Sequence, residues 1–366
     1  MDSNSSHLQS FINTHNDYIS LFKKNNLKVI TNSKYKLIIV KNNYQNNLSF
    51  TDENDYWKMY CRGAVINTVT NKVIALPPVK AIEITLEETI HHNEHTEYQP
   101  LIDGTMINLF YHNNEWIIST RSDIGGYNKW SNKKSFRQLF DECSTIEYDL
   151  LNKNCSYSFV MRHTDNRNIS PITYNELDLV DVFSFENDTI TRVPHQLFSI
   201  RNNLQLIDSN NNQNLYTSMF QNENVPYYTK GFTIKQGSKR FKFINPAFEL
   251  VKNMKLNHNN PCLTYLHLRQ NGTLKLYLNY FPEHSNTFNE YRDKIHNLSN
   301  ELYSTYKNVF IHKNTDKKDI PYHLNPLIYD IHKLYLKDKK PTTWEDIKNY
   351  IHNLPPKKLM FALNYS

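Results

Sequence analysis

The chain has 366 residues, 39% of them hydrophobic and 13% aromatic, enough for a packed core of about two domains and too much for a disordered chain. Its formal net charge of +6 favours an anionic partner. Asn- and Lys-rich runs such as "KNNYQNN", "SNNNQN" and "LNHNN" also fit AT-rich coding, which raises lysine without function.

Residues 7–25 place Leu8, Phe11, Ile12, Tyr18, Ile19, Leu21 and Phe22 mostly on one face, which predicts a helix. "KYKLIIVKNN" reads as a strand, and "CRGAVINTVTNKVIALPPVKAIEI" as two strands around a "TNK" turn. "TMINLFYHNNEWIISTRS" reads as a hairpin turning at His112–Glu115. "KKSFRQLFDECS" predicts a short helix, and "SYSFVMRH" and "LDLVDVFSF" predict buried strands. "TKGFTIKQGSKRFKFIN" is a further hairpin turning at Gly237-Ser238, followed by a helix from Pro246. Beyond residue 256 the spacing predicts a hairpin around Asn271-Gly272, then three helices, the last capped by Thr342 or Thr343. The expected architecture is an antiparallel α+β domain over residues 1–255 and a smaller, mainly helical domain over 256–366.

None of the four cysteines (Cys61, Cys143, Cys155, Cys262) forms a Cys-x-x-Cys pair, so they read as reduced and buried, as in an intracellular, cytoplasmic protein. The polar start "MDSNSSHLQSFINTHNDY" does not read as a signal peptide. No apolar run reaches the ~18 residues of a membrane span, so no membrane partner is expected. "HHNEHTE" sets His91 and His95 around Glu94, but without His-Glu-x-x-His spacing or a further ligand it reads as a solvated loop, and no metal site is assigned. The 25 tyrosines offer either base-stacking surfaces or half-buried packing.

"LIDGTMINLF" ends a strand-like run with Asp103-Gly104-Thr105. Taken with its flanks it resembles the Lys-x-Asp-Gly motif of the covalent nucleotidyltransferases. The order of motifs is most similar to the RNA ligase branch, the T4 RNA ligase 1-like group and its giant-virus relatives. "CRGAVINTVTNKVIALPPVK" resembles the Arg-Gly strand pair ending in Pro-x-x-Lys. "YSFVMRHTDNRNI" resembles the Phe-Glu strand that leads to Asn-Arg-Ile. "TKGFTIKQGSKRFKFINPAF" resembles Glu-Gly-x-Val and the final lysine-rich strand.

The resemblance implies an antiparallel-sheet, ATP-grasp-like ligase domain. It implies ATP and Mg²⁺ as cofactors if the protein is active, and RNA or other nucleic acid as partner. It also implies a viral setting, with host cytoplasm as the location; it names no protein partner. In such enzymes a lysine attacks the α-phosphate while two glutamates face metal and nucleotide. Here the nucleophile's position holds Leu101, the Phe-Glu glutamate's holds Val160, and the Glu-Gly glutamate's holds Lys230. The positions that hold phosphate or nucleotide map onto Arg62, Lys80, Asp103, Gly104, Arg121, Arg167 and Lys242, with Arg240 or Ile244 at the second lysine of the last motif. The expectation is an RNA-ligase-like pseudoenzyme without catalytic residues that binds nucleic acid or nucleotide through a basic pocket. One alternative is an active ligase using a non-standard lysine such as Lys80, whose pKa neighbouring cations would depress. Another is a non-catalytic scaffold.

Overall fold

The computed structural model describes residues 7–42, 53–88, 96–129, 134–186, 189–193, 220, 225–237, 239–256 and 260–364. Contacts divide the chain into two units, Met1–Leu250 and Val251–Ser366. The "HHNEHTE" histidines and the Ser238 half of the expected Gly237-Ser238 turn lie outside the described residues.

The first unit opens with α1 (His7–Thr14) and α2 (Tyr18–Lys24) instead of the single helix expected over 7–25. Asp17 divides them: its side chain accepts from Ser20 N and caps α2, which requires a non-helical backbone at Asp17 itself. Both helices bury Leu8, Ile12 and Phe22, and Phe11 stacks on Trp57 with ring centroids 3.9 Å apart.

Four antiparallel strands follow: β1 (Leu27–Asn32), β2 (Leu37–Asn42), β3 (Arg62–Asn67) and β4 (Lys72–Ala75), in the order β1-β2-β3-β4. β1 was not expected, because its Lys28 and Thr31 are exposed and blur the apolar alternation. One face of this sheet packs Ile38, Val40, Ala64 and Ile66 against the N-terminal helices. Its other face packs Leu37, Ile39 and Val65 against Phe110 and Ile117.

Phe110 and Ile117 belong to the expected hairpin, β7 (Thr105–His112) and β8 (Glu115–Ser119), which follows the short β5 (Ile82–Glu83) and β6 (Thr96–Pro100). Asn113 and Asn114 close it at φ 50° and 64°, the left-handed pair of a type I′ turn. α3 (Phe136–Cys143) starts with a capping box between Ser135 and Gln138 and buries Leu139 and Phe140 in the core formed by β7, β8, β9 (Cys155–Arg162) and β10 (Glu176–Glu186). With β11 (Thr189–Arg192) the second sheet has the order β11-β10-β9-β7-β8. The last hairpin, β12 (Gly231–Gln236) and β13 (Lys239–Ile244), forms a third sheet of order β5-β13-β12-β6, in which only β5 runs parallel to its neighbour. α4 (Pro246–Met254) follows.

The described residues of the second unit are helical. The hairpin expected around Asn271-Gly272 is instead two helices, α5 (Pro261–Gln270) and α6 (Leu274–Tyr280), joined at Gly272. The alternation in "YLHLRQ" is accidental. Asn260 caps α5, Pro261 opens it, and Cys262, Tyr265 and Leu266 are buried at helical spacing. α7 (Ser285–Tyr306), α8 (Asn325–Asp338), α9 (Trp344–Asn353) and α10 (Pro356–Asn364) complete the unit. Thr343 caps α9 in a box with Asp346. No helix among the described residues is long and apolar enough to cross a membrane.

Candidate phosphate-binding site

β6 stops at Pro100, and the chain crosses to β7 through Leu101, Ile102, Asp103 and Gly104. This crossing is stitched to the start of β12, where Leu101 N donates to Gly231 O at 2.9 Å. Gly104 lies against β9 so closely that a Cβ there would stand 2.5 Å from Met161 O and 2.6 Å from Val160 Cγ1. The crossing therefore brings Leu101, Asp103, Gly104, Val160 and Lys230 together, residues that the sequence places far apart.

The Asp103 carboxylate is almost fully enclosed. One oxygen accepts from Ile169 N at 2.8 Å and Ser170 N at 3.0 Å, while the other lies 3.4 Å from Lys230 Nζ. Lys230 Nζ also donates to Ile102 O at 3.2 Å and stands 5.6 Å from the Phe248 ring centroid. Arg167 supports the same loop: its Nε and Nη2 donate to Ile169 O at 3.2 and 3.0 Å, and Nη2 reaches the Tyr227 hydroxyl at 3.4 Å. Arg167 thus helps set the backbone that holds Asp103. The donor set does not fit Mg²⁺. A hard cation wants several anionic oxygens, whereas Leu101 and Val160 offer none and the Asp103 oxygens already face two N–H groups and an ammonium.

Of the remaining cations, Arg62, Lys80 and Lys242 form a second group, apart from Arg121. Lys80 N donates to Met59 O at 3.2 Å, and its half-buried amine is held below the ordinary lysine pKa by burial, then by Arg62 and Lys242. Lys242 Nζ pairs with Glu83 at 2.7 Å. Arg121 Nη2 donates to Asn42 O at 3.1 Å. Of the two residues that compete for the last motif, Ile244 stands opposite Gly231, while Arg240 stands opposite Lys235 beside Asp181 and Arg192, where burial lowers its pKa.

Two networks had no signal in the sequence reading. Arg192 Nη2 reaches Glu97 at 2.6 Å and its Nε reaches Asp181 at 2.7 Å, while the buried Lys235 Nζ donates to Val180 O at 2.6 Å and Asp181 at 3.0 Å. This network ties the second sheet to the third. The other brings ligand atoms of Glu142, His163 and Asp165 within 4.8 Å of one another. Lys134 Nζ sits among them, 2.7 Å from Glu142 and 2.9 Å from Asp165. His163 Nδ1 accepts from Asp165 N at 3.0 Å, and its Nε2 lies 2.8 Å from Glu142 and 3.1 Å from Asn175 Nδ2. The Lys134 ammonium already bridges both carboxylates, and the cluster reads as an ion-pair network.

No family model matches the chain. A curated relative, the immediate-early protein ICP-46 homolog of Invertebrate iridescent virus 3, is 23% identical over 273 residues. The match covers 67% of this chain and 59% of that relative, so the chain spans less than two thirds of its length. Among solved structures, the chain is similar to an archaeal ATP-dependent RNA ligase in two forms. Form 2 has TM-score 0.47 and 10% identity, with 78% of this chain and 79% of that one covered. Form 1 has TM-score 0.45 and 11% identity, with 95% and 76% covered. A putative ATP-dependent DNA ligase from Aquifex aeolicus has TM-score 0.42 and 11% identity, with 88% and 80% covered.

Proposed function

We propose that this chain is an RNA-ligase-like nucleotidyltransferase relative that has lost lysyl-nucleotide chemistry and binds nucleic acid or nucleotide through a basic pocket. Residues 1–255 form the ligase-like domain and 256–366 a helical accessory domain, in a protein of viral origin acting in host cytoplasm. The observation that carries the reading is the Lys230–Asp103 contact of 3.4 Å. An ammonium stands beside the Asp-Gly crossing where the family has a carboxylate, and Leu101 supplies no amine there. Such a site repels Mg²⁺ and still attracts phosphate. Arg62, Lys80, Arg121, Arg167 and Lys242 supply the cations that would hold phosphate, and Asp103 and Gly104 shape the crossing.

One observation favours a second reading, an active enzyme with a relocated nucleophile. The depressed pKa of Lys80 raises its share of neutral amine at neutral pH. Covalent labelling separates the two. The folded protein is incubated with α-³²P-labelled ATP or GTP and Mg²⁺ or Mn²⁺, denatured, and examined for retained label. The expected outcome is no label. Label that disappears in Lys80→Ala or Lys230→Ala would identify the nucleophile and overturn the first reading.

A further inference from the structure

The first sheet sets like charges opposite one another. In the strand register Lys28 stands opposite Lys41 across β1–β2, and Lys41 stands opposite Arg62 across β2–β3, just beyond a bulge at Val40 and Lys41. Directly opposed like charges destabilise a sheet, so fold stability gives no reason for this row. Side chains alternate along a strand, so Lys28 shares the face of Ile30, and Lys41 shares that of Ile39. This face packs Ile39 with Phe110 and Ile117 of the second sheet, and the two lysines continue it past the apolar seam.

Lys41 is drawn into a cationic neighbourhood. Its Nζ donates to the Ser122 hydroxyl in the segment after β8, and burial, then Lys28, then Arg121 lower its pKa. Among the described residues no carboxylate makes an ion pair with Lys28 or Lys41. Gly63 brings β3 against the Arg121 backbone, because a Cβ at residue 63 would stand 3.1 Å from Arg121 Cα. On the other side Arg62 and Lys242 each lie close enough to Lys80 to lower its pKa, and Lys242 is paired with Glu83. The result is a row of cations running from the β1 edge of the first sheet across Arg62 to Lys80.

We propose that this run is a track for the phosphodiester backbone of a single-stranded nucleic acid, with Lys28 and Lys41 holding phosphates beyond those at Arg62, Lys80 and Lys242. The proposal rests on the reading of the pocket given above and extends it. Adjacent strands lie ~4.8 Å apart, so the row from Lys28 to Arg62 spans about 10 Å. That is longer than one phosphate group and suits consecutive charges on a chain. A mononucleotide held at Arg62, Lys80 and Lys242 leaves Lys28 and Lys41 with no anion, whereas an oligonucleotide reaches them.

The test measures fluorescence anisotropy of the full chain with a labelled single-stranded RNA of about twelve nucleotides, the same sequence as DNA, the RNA duplex, and labelled ATP. Lys28→Gln and Lys41→Gln should each weaken single-strand binding about 5–10-fold at low salt. Each should also reduce the slope of log K against log salt by about 0.7, the value for one lost phosphate contact on a single strand. ATP binding should not change, and Lys41→Arg should restore oligonucleotide binding. If both Gln variants keep the wild-type slope while Arg62→Gln lowers it, the track ends at Arg62; this inference fails and the pocket reading stands. If Lys41→Gln weakens ATP as much as oligonucleotide, Lys41 belongs to the nucleotide pocket and the track is wrong. Tighter binding of the duplex than of the single strand also overturns it. A folded wild-type protein that binds none of these probes overturns both readings.

Discussion

Asp103 serves the fold before it can serve a ligand. Its carboxylate holds two backbone N–H groups of the 169–170 loop and meets the Lys230 ammonium, all in a nearly enclosed site. Asp103→Ala strands those donors, and a loss of about 2–4 kcal/mol is expected, read as the shift in urea unfolding free energy. Asp103→Asn keeps one acceptor oxygen and should cost less than half as much; equal losses would mean that packing, not hydrogen bonding, matters there. Gly104→Ala drives a methyl into the Met161 carbonyl and should lower stability by about 1–3 kcal/mol, seen as a reduced Tm with an unchanged fold by circular dichroism. The Asp-Gly pair was legible in the sequence because short polar turns have local signatures. Its partners were not. The bond from Ile169 N to Asp103 joins residues 66 apart, and Lys230 arrives from 127 residues away. Nothing in a local pattern marks such meetings. Lys230 was legible only as a substitution in a motif, and its contact with Asp103 required the structure.

At the scale of elements, the alternation of apolar residues was a good guide to two of the hairpins. β7–β8 and β12–β13 pair in antiparallel register, and their buried faces carry apolar residues in sequence. It failed at residues 261–280, where leucines at every second position imitate a strand while the start signals, Asn260 and Pro261, belong to a helix. The cap outweighs the pattern because it satisfies an N–H that a helix start leaves orphaned. Asn260→Ala removes the acceptor for Leu263 N and should cost about 1 kcal/mol of stability, whereas a hairpin at this site would be indifferent to it. Thermal unfolding followed at 222 nm distinguishes the two. Sheet order lay beyond the sequence for a different reason. β9 sits between β7 and β10, and β13 takes β5 as a parallel neighbour, pairings set by which faces must be buried together.

For the molecule as a whole, the joint between the second and third sheets is built on buried ion pairs, and that gives the first unit a measurable pH dependence. Lys235 reaches from β12 to Val180 O and Asp181 on β10, and Arg192 on β11 reaches back to Glu97 on β6. Burial, opposed by Asp181 and reinforced by Arg192 and Arg240, pulls the Lys235 amine down to about 7 in the folded protein. In the unfolded chain it titrates at the ordinary lysine value near 10.4. Between these values the unfolded state binds the additional proton, so this group makes stability rise with pH, by up to about 1.4 kcal/mol per pH unit. Below pH 7 both states are protonated and the contribution is flat. Buried groups of the opposite tendency act higher: burial raises the Cys61 thiol and the Tyr157 phenol, so their contributions fall once the unfolded thiol and phenol begin to ionise. Comparison with Lys235→Met isolates the lysine, because every other titration is shared and a buried ion pair exchanged for an apolar side chain of similar length is often well tolerated. Urea unfolding at pH 6, 7, 8 and 9 should give a stability difference, wild type minus Lys235→Met, that is level from pH 6 to 7 and then climbs with pH. A difference that stays level to pH 9 would mean that Asp181 and the Val180 carbonyl hold the proton on Lys235, so that the sheets are joined by a permanent ion pair.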